Sequence, residues 1–384
     1  MQKKILIHIG PPKSGSSAIQ KWLSNNQETL KQSQIWYPSH SIDKNGISSG
    51  NYRTIFSANE GGELLLDELL VSDLLTKFKQ SDYQCLLLSS EFFFRHLQEI
   101  AHAIPSCTFV AYIRSPLEFF ESIYNQSVKR HNNTDLLQQP EKLFSRILNK
   151  LSQSIEVVGD KRFILRAYVS HAQSGGIIQD FLSILDVKYI EQFDEDKAIN
   201  TSYCHEALQL KRLLNRFDLY GLTHDVDQAL QDFKDGIKSY SYVPTETYEQ
   251  YRMQCLDSLN LFVKKYTVFA SDHLLNNTKI SQQKPFLEQV LSSEQTEKMA
   301  EHLMLSNGML YLMLCDSLNK QAEREVYMDE SVQCFLKGGQ PWVLHNWFRL
   351  IISSGVKRKV KFTFLRKKIK HLFNPDSINN LDVN

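Results

Sequence analysis

Short apolar runs alternate with helical patterns over the first half of the chain, and that alternation predicts a parallel sheet wrapped by helices. The run Lys4-Ile5-Leu6-Ile7-His8-Ile9 reads as a strand buried on both faces, ending at Gly10. Ile19, Trp22 and Leu23 then fall at helical spacing and give the inward stripe of a first helix. Cys85–Ser89, Thr108–Ile113 and Arg162–Ala167 read as further strands, the last followed by Gly175, Gly176 and a helix carrying Ile178, Phe181, Leu182 and Leu185. Beyond about residue 203 β-branched runs become rare and helical spacing takes over. Leu208, Leu210, Leu213, Leu214 and Phe217 mark one helix; others are predicted over 246–266, 284–304 and 308–322, with a loop at Tyr240–Thr245 around Pro244.

Composition narrows the class only a little. At 384 residues the chain can bury one large core with a sizeable appendage. Its 44 basic and 43 acidic residues leave a net charge of +1, which gives no sign of bulk nucleic-acid binding. Cys85, Cys107, Cys204, Cys255, Cys315 and Cys334 are scattered without CxxC spacing, so they read as reduced thiols rather than a zinc or redox site. The apolar run after Lys3 and Lys4 is too short for a signal peptide, and no stretch reaches the length of a membrane span. A cytoplasmic protein is expected.

The candidate chemistry starts in His8-Ile9-Gly10-Pro11-Pro12-Lys13-Ser14-Gly15-Ser16-Ser17-Ala18, between the first strand and the first helix. Such a corner aims unpaired backbone amides and the positive end of the helix dipole at one point. Gly15 permits close approach of a ligand, Ser16 and Ser17 add hydroxyls, and Lys13 adds a full charge. Phosphate-like anions suit it. Gly10 and Gly15 have Walker A spacing, but Ser16 follows Gly15 where a Walker A loop has lysine, and Lys13 sits inside the loop instead.

A second stretch, Tyr112-Ile113-Arg114-Ser115-Pro116-Leu117-Glu118, puts Arg114 at the carboxyl end of a strand before a well-marked helix start. Ser115 and Glu118 have capping-box spacing, and Pro116 takes the first helical position. Ser122 follows Ser115 by two turns, about 10 Å along the axis.

Pro12-Lys13-Ser14-Gly15-Ser16-Ser17 resembles the 5′-phosphosulfate loop of sulfotransferases, and Arg114 with Ser122 is similar to that family's 3′-phosphate pair. Phe163–Tyr168, the glycine pair, Asp180-Phe181-Leu182 and Asn200-Thr201-Ser202 resemble later parts of bacterial members, so the likeness spans roughly 4–215. One departure is Ala18, where many members have an aromatic residue.

The resemblance implies 3′-phosphoadenosine 5′-phosphosulfate (PAPS) as sulfuryl donor, with no metal. Lys13 would contact the phosphosulfate and steady the departing phosphate, and the small residues after it would hold the 5′-phosphate. Arg114 and Ser122 would hold the 3′-phosphate; taken without the loop, they read equally as a helix-end ion-pair partner and an ordinary helical serine. The expected fold class is accordingly α/β: a P-loop-type parallel sheet flanked by helices, with a mainly helical C-terminal part. The expected division is a PAPS-binding core over 1–215, a helical extension over 216–330 and a basic, aromatic-containing segment over 331–384.

A general base has to accept the acceptor's proton. Glu91, directly after Leu86-Leu87-Leu88-Ser89-Ser90, lies where parallel sheets present ligands and matches a Ser-Ser-Glu pattern of bacterial sulfotransferases. A Walker B-type metal ligand and a loop-orienting acid are the other readings of that position. His8, within the first strand, is expected to be a satisfied core histidine. The polar and aromatic stretch from Tyr37-Pro38-Ser39-His40 to Gly50-Asn51-Tyr52-Arg53 suits a carbohydrate or glycolipid acceptor. No acidic residue lies between Glu330 and Asp376, where Trp342, Trp347 and Phe348 precede Lys357, Arg358, Lys359 and Lys361. That composition suits peripheral contact with an anionic inner membrane face, or a solvated basic tail. Two other functions stay open: an ATP-dependent P-loop kinase, and a non-catalytic nucleotide-fold protein at the membrane.

Overall fold

A computed structural model describes residues 3–40, 48–143, 145–168, 176–188, 203–322 and 330–338. The chain opens with β1 (Lys4–His8), α1 (Ser16–Asn25), α2 (Gln27–Gln32) and β2 (Ile35–Trp36). A hairpin of β3 (Phe56–Ala58) and β4 (Leu64–Leu66) leads to α3 (Glu68–Gln80), β5 (Cys85–Ser89), α4 (Leu97–Ala103) and β6 (Cys107–Ile113). Next come α5 (Pro116–Arg130), α6 (Arg146–Val158), β7 (Phe163–Ala167) and α7 (Gly176–Ile184). The remaining elements are α8 (His205–Leu214), α9 (Thr223–Asp232), α10 (Thr245–Lys265), β8 (Val268–Phe269), α11 (Ser271–Ile280), α12 (Ser293–Ala322) and α13 (Glu330–Gly338).

Contacts divide the chain into two compact units: one drawn from 1–122, 139–200 and 244–283, the other from 123–138, 201–243 and 284–384. The first holds a six-stranded sheet in the order β2-β5-β1-β6-β7-β8, with every pairing parallel. This is the α/β sheet flanked by helices that the sequence pattern predicts. Because successive side chains alternate faces, β1 sends Ile5, Ile7 and Ile9 to one side and Leu6 to the other. The first side packs on Leu74 and Phe78 of α3, Ile100 of α4, Leu151 of α6, and Leu259 and Phe262 of α10. The second packs on Ile19 and Leu23 of α1 and on Phe181 and Leu182 of α7. Helices on both faces explain why the strands are continuous apolar runs rather than alternating ones.

This wiring positions the site. The chain leaves β1 for α1 on one face and leaves β5 for α4 on the other, so neighbouring carboxyl ends diverge. A crevice opens at such a switch point, where open α/β sheets take their ligands. The loop after β1 and Glu91 after β5 flank it.

The described part of the second unit is helical, built on α8, α9, α12 and α13. The Tyr203 hydroxyl donates to the Asp227 carboxylate there, and Arg130 pairs with the same carboxylate at 3.2 Å. α12 carries non-helical backbone at Asn307, which makes it two helices and matches the break predicted between 304 and 308. The helix predicted from residue 284 starts later, at Ser293. Ser292 and Gln295 form a reciprocal capping box (Gln295 N to Ser292 Oγ 3.2 Å, Ser292 N to Gln295 Oε1 3.0 Å), which sets that boundary. α11, β2, β8 and the β3–β4 hairpin are additions to the sequence reading. Among the described residues no helix is long and apolar enough to cross a membrane. Residues 339–384, with the aromatic and basic stretch, and Asn200–Ser202 lie outside the described residues.

Candidate active site

The loop after β1 is a tight turn closed by Ser14, whose amide and hydroxyl both donate to the Pro11 carbonyl, at 3.2 and 2.5 Å. Pro12 takes the second position of that turn and Lys13 the third, with φ of +64°. Proline followed by a positive φ is the type II arrangement, in which the third residue is ordinarily glycine. Holding a side-chain-bearing residue there costs about 1–2 kcal/mol, so the neighbours of Lys13 must hold it. Gly15, at φ +83°, caps α1 without a side-chain hydrogen bond. The Ser16 and Ser17 amides open α1 without an intrahelical partner, while the Ala18 amide already donates to the Gly15 carbonyl at 3.1 Å. Ser16 is buried, and its Oγ makes no hydrogen bond of good geometry among the described residues. An unsatisfied buried hydroxyl beside open amides and a lysine is a donor set that fits a tetrahedral anion.

Glu91 meets this loop from the end of β5. A Cβ added at Gly10 would lie 2.7 Å from Ser16 Oγ and 3.5 Å from Glu91 Cγ, so the absent side chain lets the three come together. Glu91 is exposed at the surface, yet enough protein surrounds it that burial raises its carboxyl pKa above the ordinary value. The nearby Ser16 hydroxyl and the Lys13 charge oppose that rise. Both descriptions fit a side chain on the wall of a concavity, open to solvent on one side only.

The stretch proposed for the acceptor is anchored beside Glu91. Asn51 accepts the Ser89 amide on its Oδ1 at 2.8 Å and donates its own amide to the Ser89 carbonyl at 3.1 Å. Ser90 Oγ donates to the Ser49 carbonyl at 2.7 Å. The contact demands glycine at residue 50: φ is +77°, and a Cβ would stand 1.9 Å from the Ser89 carbonyl oxygen. Gly50→Ala should therefore cost more than about 2 kcal/mol by backbone strain and collision together, read as a lowered Tm on heating. An unchanged Tm would refute this packing. Residues 41–47 of the stretch lie outside the described residues.

Arg114 reaches the same loop from the end of β6. Its Nη1 donates to the Lys13 carbonyl at 2.9 Å, its Nε to Glu118 Oε2 at 2.8 Å, and its Cζ lies 4.8 Å from the centroid of the Tyr168 ring. The capping box expected at Ser115 and Glu118 is not made: the Glu118 amide donates to the Ser115 carbonyl at 3.1 Å, Ser115 Oγ is buried without a partner among the described residues, and the Glu118 carboxylate accepts from Arg114. Ser122, two turns along α5, shares no hydrogen bond with Arg114. Tyr168 is the contributor that sequence reasoning passed over. It sits one residue beyond β7, and its amide donates to the Ile113 carbonyl at 2.8 Å. β7 itself is tied to α7 by Arg166, which donates to both Asp180 oxygens at 2.6 Å, while Tyr112 donates to Asp180 at 2.7 Å.

His8 is in the core as expected but is not fully satisfied there. It is fully buried against Phe181 and Tyr112, its Nδ1 is 2.8 Å from Ser89 Oγ, and its Nε2 has no partner among the described residues. Burial lowers its pKa to about 3, so it stays neutral at physiological pH. Among the described residues no group of three His, Cys, Asp or Glu side chains is placed to hold a metal ion.

The structure thus brings Lys13, Ser14, Gly15, Ser16, Glu91 and Arg114 to one end of the sheet. No protein-family model matches the sequence, and no curated protein does. Among solved structures, a sulfotransferase from Alicyclobacillus acidocaldarius is similar at 13% identity and a TM-score of 0.32, covering 61% of this chain and 98% of its own. A likeness that distant leaves the functional reading to the site itself.

Proposed function

We infer that the chain is a sulfotransferase, which moves a sulfuryl group from PAPS to a hydroxyl of a carbohydrate acceptor, of the polysaccharide or glycolipid kind. The observation that carries the reading is the hydrogen bond from Arg114 to the Lys13 carbonyl, which brings the guanidinium from beyond β6 to the loop that carries Lys13. PAPS carries anionic groups on both the 3′ and 5′ carbons of a single ribose, and it needs two adjacent cationic contacts.

In the reaction, the acceptor oxygen attacks sulfur in line as the bond from sulfur to the bridging phosphate oxygen breaks. Both electrons of that bond leave with the phosphate. Lys13 and the amides opening α1 stabilise that developing charge, as preorganised donors do best where water is scarce. Glu91 takes the proton that the acceptor hydroxyl loses. The Tyr37–His40 and Ser48–Arg53 stretches, anchored beside Glu91, are where the acceptor would lie. Ser122 is kept as a 3′-phosphate contact that the nucleotide itself would bridge to Arg114.

Thermal stabilisation by adenosine 3′,5′-bisphosphate, the product nucleotide, compared with ADP, tests the reading. A ligand at about a hundred times its Kd stabilises by about 2.7 kcal/mol, a rise of several degrees in Tm. The bisphosphate should produce that rise and ADP should not. Equal stabilisation by ADP with magnesium would favour an ATP-dependent kinase and end the sulfotransferase reading.

A further inference from the structure

Arg114 directly follows β6, yet its guanidinium contacts a loop 101 residues earlier in the chain. The carbonyl it holds belongs to Lys13, the loop residue that carries a side chain while in left-handed backbone. Tyr168, stacked on the guanidinium, also covers Gly15: a Cβ there would come within 3.2 Å of Tyr168 Cε2. Guanidinium and ring together brace two of the loop's residues, and Glu118 tethers the guanidinium from the side. Among the described residues Nη2 has no acceptor.

We propose that Arg114 is a positioning residue for the phosphosulfate loop as well as a contact for the 3′-phosphate, so that filling one anion site strengthens the other. The proposal rests on the sulfotransferase reading above. A side-chain-bearing residue stays in left-handed backbone only while its surroundings hold it there. The Lys13 carbonyl and the Ser14 amide belong to one rigid peptide plane, so gripping the carbonyl sets where that amide points and where the chain enters Gly15. A 3′-phosphate received on Nη2 orders the guanidinium, and an ordered guanidinium fixes the peptide plane. By thermodynamic linkage the effect runs equally in both directions. Tyr168 assists through cation–π contact.

The test is isothermal titration of the full chain with AMP, which has only the 5′-phosphate, and with adenosine 3′,5′-bisphosphate. Wild type is compared with Arg114→Ala, Arg114→Lys and Tyr168→Leu, with unliganded Tm values recording that each variant is folded. An arginine that touched only the 3′-phosphate would leave AMP affinity alone. Instead, both Arg114 variants should lose roughly tenfold in AMP affinity, the scale of one hydrogen bond from a charged donor. Lysine should keep part of the preference for the bisphosphate because it retains a charge, and alanine should lose it. Tyr168→Leu, which keeps the arginine, should weaken AMP in the same direction. AMP affinity unchanged in both arginine variants, alongside weakened bisphosphate binding, overturns the coupling and leaves the sulfotransferase reading standing. A wild-type protein that binds neither nucleotide overturns both, and that result is visible before any variant is made.

Discussion

Lys13→Ala should reduce turnover of PAPS by a factor of roughly 10²–10³ or more while weakening binding of the product nucleotide far less, because in the function proposed above Lys13 meets charge that appears on the leaving phosphate. The unusual backbone at Lys13 supplies a control. Its φ of +64° is disfavoured for alanine as for lysine but costs glycine little. Lys13→Gly should therefore be as inactive as the alanine variant yet more stable by about 1 kcal/mol. Single-turnover consumption of PAPS at saturating donor reads the chemical step, and heating reads stability. If the glycine and alanine variants turn over at the wild-type rate, Lys13 does not meet the leaving group.

The parts of this site that the sequence displays are those set by local rules. β1 is legible because burial on both faces needs an unbroken apolar run, and its loop is legible because prolines, glycines and small hydroxyl residues mark a tight turn into a helix. Edge strands β2 and β8 contain two residues each, too few to leave a pattern; their existence depends on pairings such as Ile35 with Cys85 and Leu165 with Val268. Capping boxes show the limit of spacing alone. Ser115 with Glu118 has the right spacing but loses its carboxylate to Arg114, whereas Ser292 with Gln295 makes the box and moves a helix start by nine residues from its predicted place at 284. Gly50 and Tyr168 matter through contacts with residues distant in sequence, the Ser89 carbonyl and the Arg114 guanidinium, and no local signal announces either.

The chemistry and the topology meet at the divergence of β1 and β5. β1 leads into the loop proposed above to hold the phosphosulfate, β5 into Glu91, and the residue after β6 is the arginine that joins the loop. Gly10 is the hinge of this convergence, since any side chain there would occupy the space between Ser16 and Glu91.

Glu91→Gln should spare nucleotide binding and lower turnover by roughly 10²–10⁴, the usual span for loss of a general base. The pH dependence carries the sharper test. Burial raises the Glu91 pKa above its ordinary 4.5, so the base form fills only as pH climbs past that value, and wild-type turnover should rise through an inflection on the alkaline side of 4.5. The glutamine variant should lack this limb. Stability should move the opposite way. A carboxyl that holds its proton more tightly in the folded chain contributes most below its unfolded pKa, and that contribution is lost as pH rises through the folded value. At neutral pH the wild-type protein therefore carries an unfavourably surrounded charge, and Glu91→Gln should raise the Tm of the unliganded protein there, with the gain vanishing at pH 4 or below. A variant that keeps full activity with the same acid limb would remove Glu91 from the chemistry. Lower Tm at neutral pH would instead make it a structural anchor for the Ser16 loop.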